Sequence, residues 1–324
     1  MSRILYLPNS YSQQRQHEKK ANIYPVRMAM EAEWYRRNGW DVIWNDWSML
    51  HKVVYTKGDR VRRSPENLPF LTLPRPDRVF TRAKEYTSGN YKYLPGTHIM
   101  AASGCWWGKC NFCVENNQPY EVRPVEDVIS EIEECKSLGF KEVFDDSATF
   151  PTGDWLSGFI RRIRKERNLV LGCNCRIYDY PFVDMERAGF RMLLFGIESA
   201  NQRTLDRINK GVKVEDIIPT IKKASEAGIE PHIAVMFGYP WESDKDSINT
   251  LRLVHFLLKK GYAKTAQASL YSPKGVPGNQ AHKKYIKKIY EAAYCPEFWY
   301  HKIKEIKTME DFRYVLRGIK AALC

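Results

Sequence analysis

From Thr97 to Ser272 the chain alternates between two periodicities. "THIMAAS", "KEVFDDS", "LVLGCNCR", "RMLLFGIES", "EPHIAVMFG" and "KTAQASLYS" are short apolar runs that read as strands. Between them stand "VEDVISEIEECKSLGF", "DWLSGFIRRIRKER", "YPFVDMERAGF", "VEDIIPTIKKASEAGI" and "SDKDSINTLRLVHFLLKKGY", which carry apolar residues at helical spacing. Strand and helix in strict turn make a parallel sheet with its helices outside. The unbroken series of units predicts an α/β fold, a partial (βα)6 TIM-like barrel over residues 98–273.

In such barrels the chemistry sits where the strands end at their C-terminal side. That rule singles out the loop from Cys105 to Cys113 after the first strand, Asp145 and Asp146 after the second, and Arg176 after the third. It adds Glu198 and Ser199 after the fourth strand, Gly238 to Trp241 after the fifth, and Tyr271 after the sixth.

Outside the barrel the pattern changes. "RILYLPN", "YPVRMAMEAEWYRRNGW" and "DVIWND" read as strand, amphipathic helix and strand, a short βαβ unit within residues 1–64. Residues 65–97 are proline-rich and extended, a segment expected to wrap the core, and 274–324 read as a basic helical extension. No stretch approaches the roughly 20 apolar residues of a membrane span, and the N-terminal apolar run is too short for a signal peptide, so a cytoplasmic protein is expected. The net charge of +13 is scattered over "RRIRKER", "IKKA", "LLKKG" and "HKKYIKKIYEA". Solvated helix faces explain it slightly better than nucleic-acid binding, which stays open.

"SGCWWGKCNFC" packs Cys105, Cys110 and Cys113 into C-x4-C-x2-C on the loop leaving the first strand. A structural zinc ion needs a fourth ligand, and the nearest candidate, His98, lies on the preceding strand. Cys173 and Cys175 form a C-x-C within a strand and are expected to point to opposite faces, unable to complete a tetrahedron. Three thiolates without a fourth suit a [4Fe–4S] cluster with one iron open, and this reading ranks above zinc. Trp106, Trp107 and Phe112 supply an apolar shell. Cys135, Cys173, Cys175, Cys295 and Cys324 belong to no motif and read as small buried hydrophobes.

With "SGCWWGKCNFC", the segments "KEVFDDSATFP", "GFRMLLFGIESANQRTLDRINKG", "EAGIEPHIAVMFGYPWES" and "YSPKGVPG" follow in order. Together they resemble the radical S-adenosylmethionine (radical SAM) enzymes over about residues 65 to 324, with one departure: the usual first gap between cysteines is three residues and here it is four. The resemblance implies that Cys105, Cys110 and Cys113 hold a [4Fe–4S] cluster whose open iron is chelated by the methionine end of S-adenosylmethionine. It implies reductive cleavage to a 5′-deoxyadenosyl radical that abstracts a substrate hydrogen, with electrons from an external donor such as flavodoxin or ferredoxin. Asp145 and Asp146 then face the methionine ammonium; Glu198 and Ser199 the ribose or the amine; Arg207 and Lys210 the methionine carboxylate. Gly238 clears space for the adenine, Trp241 packs on the nucleoside, and Arg176 meets an anionic group at the mouth. For Asp145, Asp146, Ser199, Arg207, Lys210 and Trp241 a cap, a solvated face or plain core packing is the competing reading.

The likeness is nearest to the branch with an N-terminal cobalamin domain. Here "RILYLPN" to "DVIWND" looks like the first βαβ of that domain, yet Asp46 and Pro65 are separated by fewer than twenty residues. A complete doubly wound domain takes roughly 100. No D-x-H-x-x-G signature occurs, His17 and His51 being wrongly placed, so stable cobalamin binding is not expected. A SAM-dependent methyltransferase is the alternative within the class. A zinc-stapled, basic nucleic-acid-binding protein is the rival outside it.

Overall fold

The computed structural model describes residues 25–44, 53–57, 60–62, 68–88, 90–163, 169–272, 278–289, 291 and 295–323. Helix α1 (Val26–Arg37) turns Val26, Ala29, Met30, Ala32 and Tyr35 into the main core, the 3–4 spacing of one helical face. Strand β1 (Asp41–Trp44) follows and pairs antiparallel with β2 (Val53–Lys57), which pairs antiparallel with β3 (Arg60–Arg62). The strand expected at "RILYLPN", with Asp46, His17 and His51, lies outside the described residues. Within them β1 leads into a meander that the residue pattern does not announce.

Residues 68–88 run as an irregular strap with two 3-10 turns, Phe70–Thr72 and Ala83–Glu85. Its anchor is Arg78, buried, which donates to the His98 carbonyl at 2.9 Å and to Glu131 at 2.6 Å. A guanidinium out of water is tolerable only when paired in this way.

The sheet begins with β4 (Gly96–Ile99). A two-stranded ribbon, β5 (Ala102–Ser103) and β6 (Glu121–Val122), closes the base of the long loop that follows. Helix α2 (Val125–Ser137), β7 (Glu142–Asp145), α3 (Gly153–Arg162), β8 (Val170–Cys175), α4 (Phe182–Arg187) and β9 (Phe190–Glu198) continue the alternation. Then come α5 (Gln202–Arg207), α6 (Val214–Glu226), β10 (Glu230–Phe237), α7 (Asp244–Lys259) and β11 (Thr265–Leu270). The sheet order is β11-β10-β9-β8-β7-β4, with every neighbouring pair parallel. The six strands form the open, curled half-barrel expected from the alternation.

Period-2 patterning divides the sheet. Leu193, Phe195 and Ile197 of β9, with Ile233, Val235 and Phe237 of β10, join the main core. Burying each stabilises by about 1.5–3 kcal/mol. On the other face Phe144 and Met192 pack with Tyr91 in a separate cluster inside the curl. Cys173 and Cys175 correct an expectation. Residues two apart on a strand share a face, and their sulfurs lie 3.7 Å from each other, both buried in the main core.

Helices α8 (Lys283–Lys288), α9 (Pro296–Glu305) and α10 (Met309–Leu323) follow. The last of these meets the N-terminal end of the barrel through a buried ion network. Arg191 reaches Glu142 and, at 2.7 Å, Glu230, while Lys92 bridges Glu230 at 2.8 Å and Asp311 at 2.7 Å. Burial works against the Asp311 carboxylate, but Lys92 and the Lys307 amide bring it down to about 2. Among the described residues no helix is long and apolar enough to cross a membrane.

Candidate functional site

The loop carrying the three cysteines has anchors that do not involve their sulfurs. Asn111 donates its side-chain amide to the Arg207 carbonyl at 2.7 Å and its backbone amide to the Ile208 carbonyl at 3.2 Å. The Trp107 indole donates to the Asn209 carbonyl at 2.9 Å. The loop after β4 is thereby tied to the link between α5 and α6, on the far side of the rim. Cys110 is buried, and Cys105 and Cys113 are half-buried. The Cys105 sulfur is 3.3 Å from the Thr149 hydroxyl, and that of Cys113 accepts from the Glu115 amide at 3.4 Å. Burial pushes the Cys113 thiol up, and Cys110 and Cys105 act on it electrostatically in the same direction.

His98, the fourth ligand a zinc site would need, is engaged elsewhere. It is buried inside the curl and hydrogen-bonded through Nδ1 to the Tyr91 hydroxyl. Burial, with Arg78 nearby, lowers it to about 3. Among the described residues no three His, Cys, Asp or Glu side chains close around a single ion.

Asp145 ends β7 with both oxygens committed: one accepts from the Ala101 amide at 2.6 Å, the other from the Ser147 amide at 3.0 Å. It fixes the chain entering the cysteine loop. Burial raises it to about 6 in spite of these bonds. A carboxyl whose folded value lies above its unfolded value of 3.8 favours the fold below about pH 4 and loses that contribution as pH rises through about 6. Relative to Asp145→Asn, the native chain should therefore gain stability on going from pH 7 to pH 4. The limit is about 1.4 kcal/mol per pH unit, read from urea midpoints. Asp146 is half-buried on the neighbouring position and acts electrostatically on Tyr91, which places it towards the inside of the curl.

Glu198 closes β9 with φ 66°, a left-handed conformation that non-glycine residues rarely adopt. Such strain costs about 1–3 kcal/mol and collects at ligand sites. Its Oε1 accepts from Lys210 Nζ at 2.8 Å, both side chains being buried. Gly196 makes room for the pair: a Cβ there would lie 2.8 Å from Glu198 Oε1 and 3.0 Å from Lys210 Nζ. Lys210 is thus part of the rim's interior and not of a solvated helix face.

Arg176 is buried after β8. It donates to the Lys210 carbonyl and lies 3.7 Å from the Cys110 sulfur, its guanidinium 4.6 Å from the Trp107 ring centroid and 5.5 Å from that of Trp106. Ser199 turns the other way. Its hydroxyl accepts from the Asn201 amide at 3.2 Å and faces Thr250 on α7, as a turn residue would. Arg207 is exposed, with its guanidinium 5.2 Å over Trp241.

Gly238 follows β10 at φ +85°, and its amide donates to Glu242. A Cβ would meet the Asn279 carbonyl at 2.9 Å, so in this fold the glycine clears space for the 278–282 segment. Trp241 stacks on Tyr239 at 5.6 Å and donates to Thr204 at 3.2 Å. Tyr271 lies 4.6 Å from Tyr239 and 6.3 Å from Phe112, completing an aromatic wall beside the cysteine loop.

Buried polar atoms at this rim without a partner among the described residues include two that can donate, the Trp106 indole nitrogen and the Tyr239 hydroxyl, and an acceptor, Glu242 Oε1. Tyr239 lies within electrostatic reach of Glu198, Glu242, Tyr271 and Cys110. Unpaired buried donors cost about 1–3 kcal/mol each. They fit a bound group rich in acceptor atoms between the cysteine loop and Glu198, and three cysteine thiols with no fourth ligand beside them among the described residues fit an iron–sulfur cluster. Thr149 belongs to the site and was not singled out by the residue pattern, while Asn111 and Tyr239 fall inside the ranges the strand-end rule marked but were given no role there. Asn111 and Thr149 stand within quoted motifs, but only their contacts mark them.

A parallel half-barrel carries a three-thiol loop, a strained buried carboxylate and unpaired donors at its C-terminal rim, the end at which barrel enzymes of this α/β class place their chemistry. Residues 99–254 match the family model of the Radical SAM superfamily, and this part of the chain is a radical SAM domain. The chain is similar to MJ0486, an uncharacterised protein of Methanocaldococcus jannaschii, with 26% identity over 46% of this chain and 52% of that one. It is similar to PH0819 of Pyrococcus horikoshii, named an uncharacterised methyltransferase, with 24% identity over 62% of this chain and 45% of the other. The chain thus spans about half the length of these curated relatives. Among solved structures it shares its fold with the radical SAM methyltransferase TsrM from Kitasatospora setae, solved with tryptophan and a SAM analogue. The TM-score is 0.50 and the identity 19%, over 71% of this chain and 49% of that one. TsrM was also solved with cobalamin and a [4Fe–4S] cluster.

Proposed function

We propose that this protein binds one [4Fe–4S] cluster through Cys105, Cys110 and Cys113 and S-adenosylmethionine along the same rim, and modifies its substrate by radical chemistry. A bound cluster of this kind supplies an electron to the sulfonium, giving methionine and a 5′-deoxyadenosyl radical. The observation carrying the reading is the convergence of the three-thiol loop, the Glu198–Lys210 pair and the unpaired Trp106 and Tyr239 donors on one rim of a radical SAM domain.

Each residue has a task in this reading. Asp146 and Glu198 offer acceptors to the methionine ammonium and the ribose, and Asp145 shapes the chain beneath the cysteine loop. Lys210 balances Glu198 until a ligand engages it. Trp241 and Tyr239 flank the nucleoside, Arg207 closes over Trp241, and Gly238 and Ser199 hold their turns. The electron donor is a small one-electron carrier such as flavodoxin or ferredoxin. A cytoplasmic setting is a part of the proposal carried only by the sequence, the substrate stays open among a nucleic acid, a peptide and a natural-product intermediate, and cobalamin is not expected to bind stably.

Anaerobic reconstitution with iron and sulfide tests the reading. A brown protein with close to four irons per chain that releases 5′-deoxyadenosine under reductant supports it. A colourless chain with one zinc and no cleavage overturns it. The names of PH0819 and TsrM favour methyl transfer as a second reading within the class. S-adenosylhomocysteine as the product, in place of 5′-deoxyadenosine, decides for it, and stoichiometric corrin absorbance would show the expectation about cobalamin to be wrong.

A further inference from the structure

Arg176 is a buried cation with no anionic partner among the described residues. Its residue is 4% exposed, no salt bridge joins it to a carboxylate there, and Glu198 on the same rim is taken by Lys210. What surrounds the guanidinium is the Lys210 carbonyl, the rings of Trp106 and Trp107, and the Cys110 sulfur 3.7 Å from Nη1. A carbonyl dipole and two ring faces offset part of the cost of desolvating a charge, but a buried guanidinium is stable chiefly against a negative partner. Cys110, itself buried, becomes that partner once its thiol is deprotonated by ligation.

We propose that Arg176 is the counter-cation of the iron–sulfur centre, a positioning residue that sets its reduction potential through the Cys110 sulfur. The inference rests on the proposed cluster and goes beyond it by giving Arg176 a redox task. One-electron reduction places an additional negative charge on the centre and its thiolates. A fixed cation against one of those sulfurs stabilises the reduced form more than the oxidised form and so raises the potential. The same guanidinium, through the Lys210 carbonyl, joins the cysteine loop to the residue that neutralises Glu198. Of the loop's own anchors, Asn111 bonds the Arg207 carbonyl without it, and Trp107, whose ring it faces, keeps its indole bond to the Asn209 carbonyl.

The test is a potentiometric titration of the reconstituted full chain, followed by the electron paramagnetic resonance of the reduced cluster, without S-adenosylmethionine. Native protein is compared with Arg176→Met and Arg176→Lys, with iron counted and far-ultraviolet circular dichroism recorded for each. In Arg176→Met the ratio of reduced to oxidised cluster at a fixed potential should fall at least about tenfold, a shift of about 59 mV for one electron. Arg176→Lys, which keeps the charge, should stay within about threefold of native.

A methionine variant that loads four irons with an unchanged ratio overturns the proposal, as does a lysine variant that falls as far as methionine. If methionine folds but fails to retain iron while lysine retains it, the charge requirement stands. Loss of iron in both variants overturns it and makes Arg176 a steric staple of the loop. A native chain that takes up no iron–sulfur centre removes the proposed function itself, and that result is told apart before any variant is read.

Discussion

Replacing Cys105, Cys110 and Cys113 together by alanine should abolish S-adenosylmethionine cleavage while leaving the fold in place. The thiols contribute little to the packing of their loop: two are half-buried, and the β5–β6 ladder, Asn111 and Trp107 hold the backbone. Removing three sulfurs from such a loop costs far less than emptying a core site. In the proposed reading cleavage, by contrast, depends on an electron delivered to the sulfonium by the cluster that these three thiols hold. The release of 5′-deoxyadenosine should fall by about a thousandfold or more, to background. Chromatography of the nucleoside products, with circular dichroism and a urea midpoint on the same preparation, reads both halves. Retained cleavage in the triple variant would sink the assignment of this loop, and retained cleavage with lost iron would sink the cluster as its source.

The barrel is legible in the sequence because two independent signals agree along it. Each strand is an apolar run of the right length, and each intervening segment has helical spacing with its own start and stop, as in the Ser243–Asp246 capping box of α7. Boundaries move by a few residues, no more. Strands β2 and β3 escape because "VVYTK" and "RVR" lie among charged residues with no apolar alternation to mark them. The C-x-C of Cys173 and Cys175 fails for a different reason, a wrong count of the strand period, and the shared face of the two sulfurs is what period 2 demands.

Site residues divide the same way. Those fixed by their place at a strand end are visible: Asp145, Arg176, Glu198 and Gly238 all sit at the rim. Their partners are not, because partnership here joins residues far apart in the chain. Arg176 finds Cys110 across 66 positions, and Trp107 finds the Asn209 carbonyl across 102. Whether a carboxylate faces a ligand or caps a backbone is equally invisible. Asp145 spends both oxygens on amides, and Ser199 turns towards α7.

Lys210→Met should show how much of the rim depends on a single buried pair. Glu198 and Lys210 meet at 2.8 Å with both side chains nearly out of water, and Gly196 leaves no slack around them. Taking away the ammonium strands a carboxylate in a low-dielectric site, and the expected loss of stability is about 3–5 kcal/mol in urea unfolding. Most of that loss should return in the double variant Glu198→Gln with Lys210→Met, because the stranded charge goes with it, and the difference is the coupling between the two. The strain at Glu198, with φ 66°, should persist in both, since it belongs to the backbone and not to the pair. The double variant should therefore be folded and still inactive: the glutamine carbonyl that remains is a neutral, weaker acceptor than the carboxylate, and the charge that balanced it is gone. A single Lys210→Met chain that unfolds at the native midpoint would mean the pair is solvated and the rim more open than its burial implies. A double variant that cleaves S-adenosylmethionine at the native rate would remove Glu198 from the binding of that cofactor.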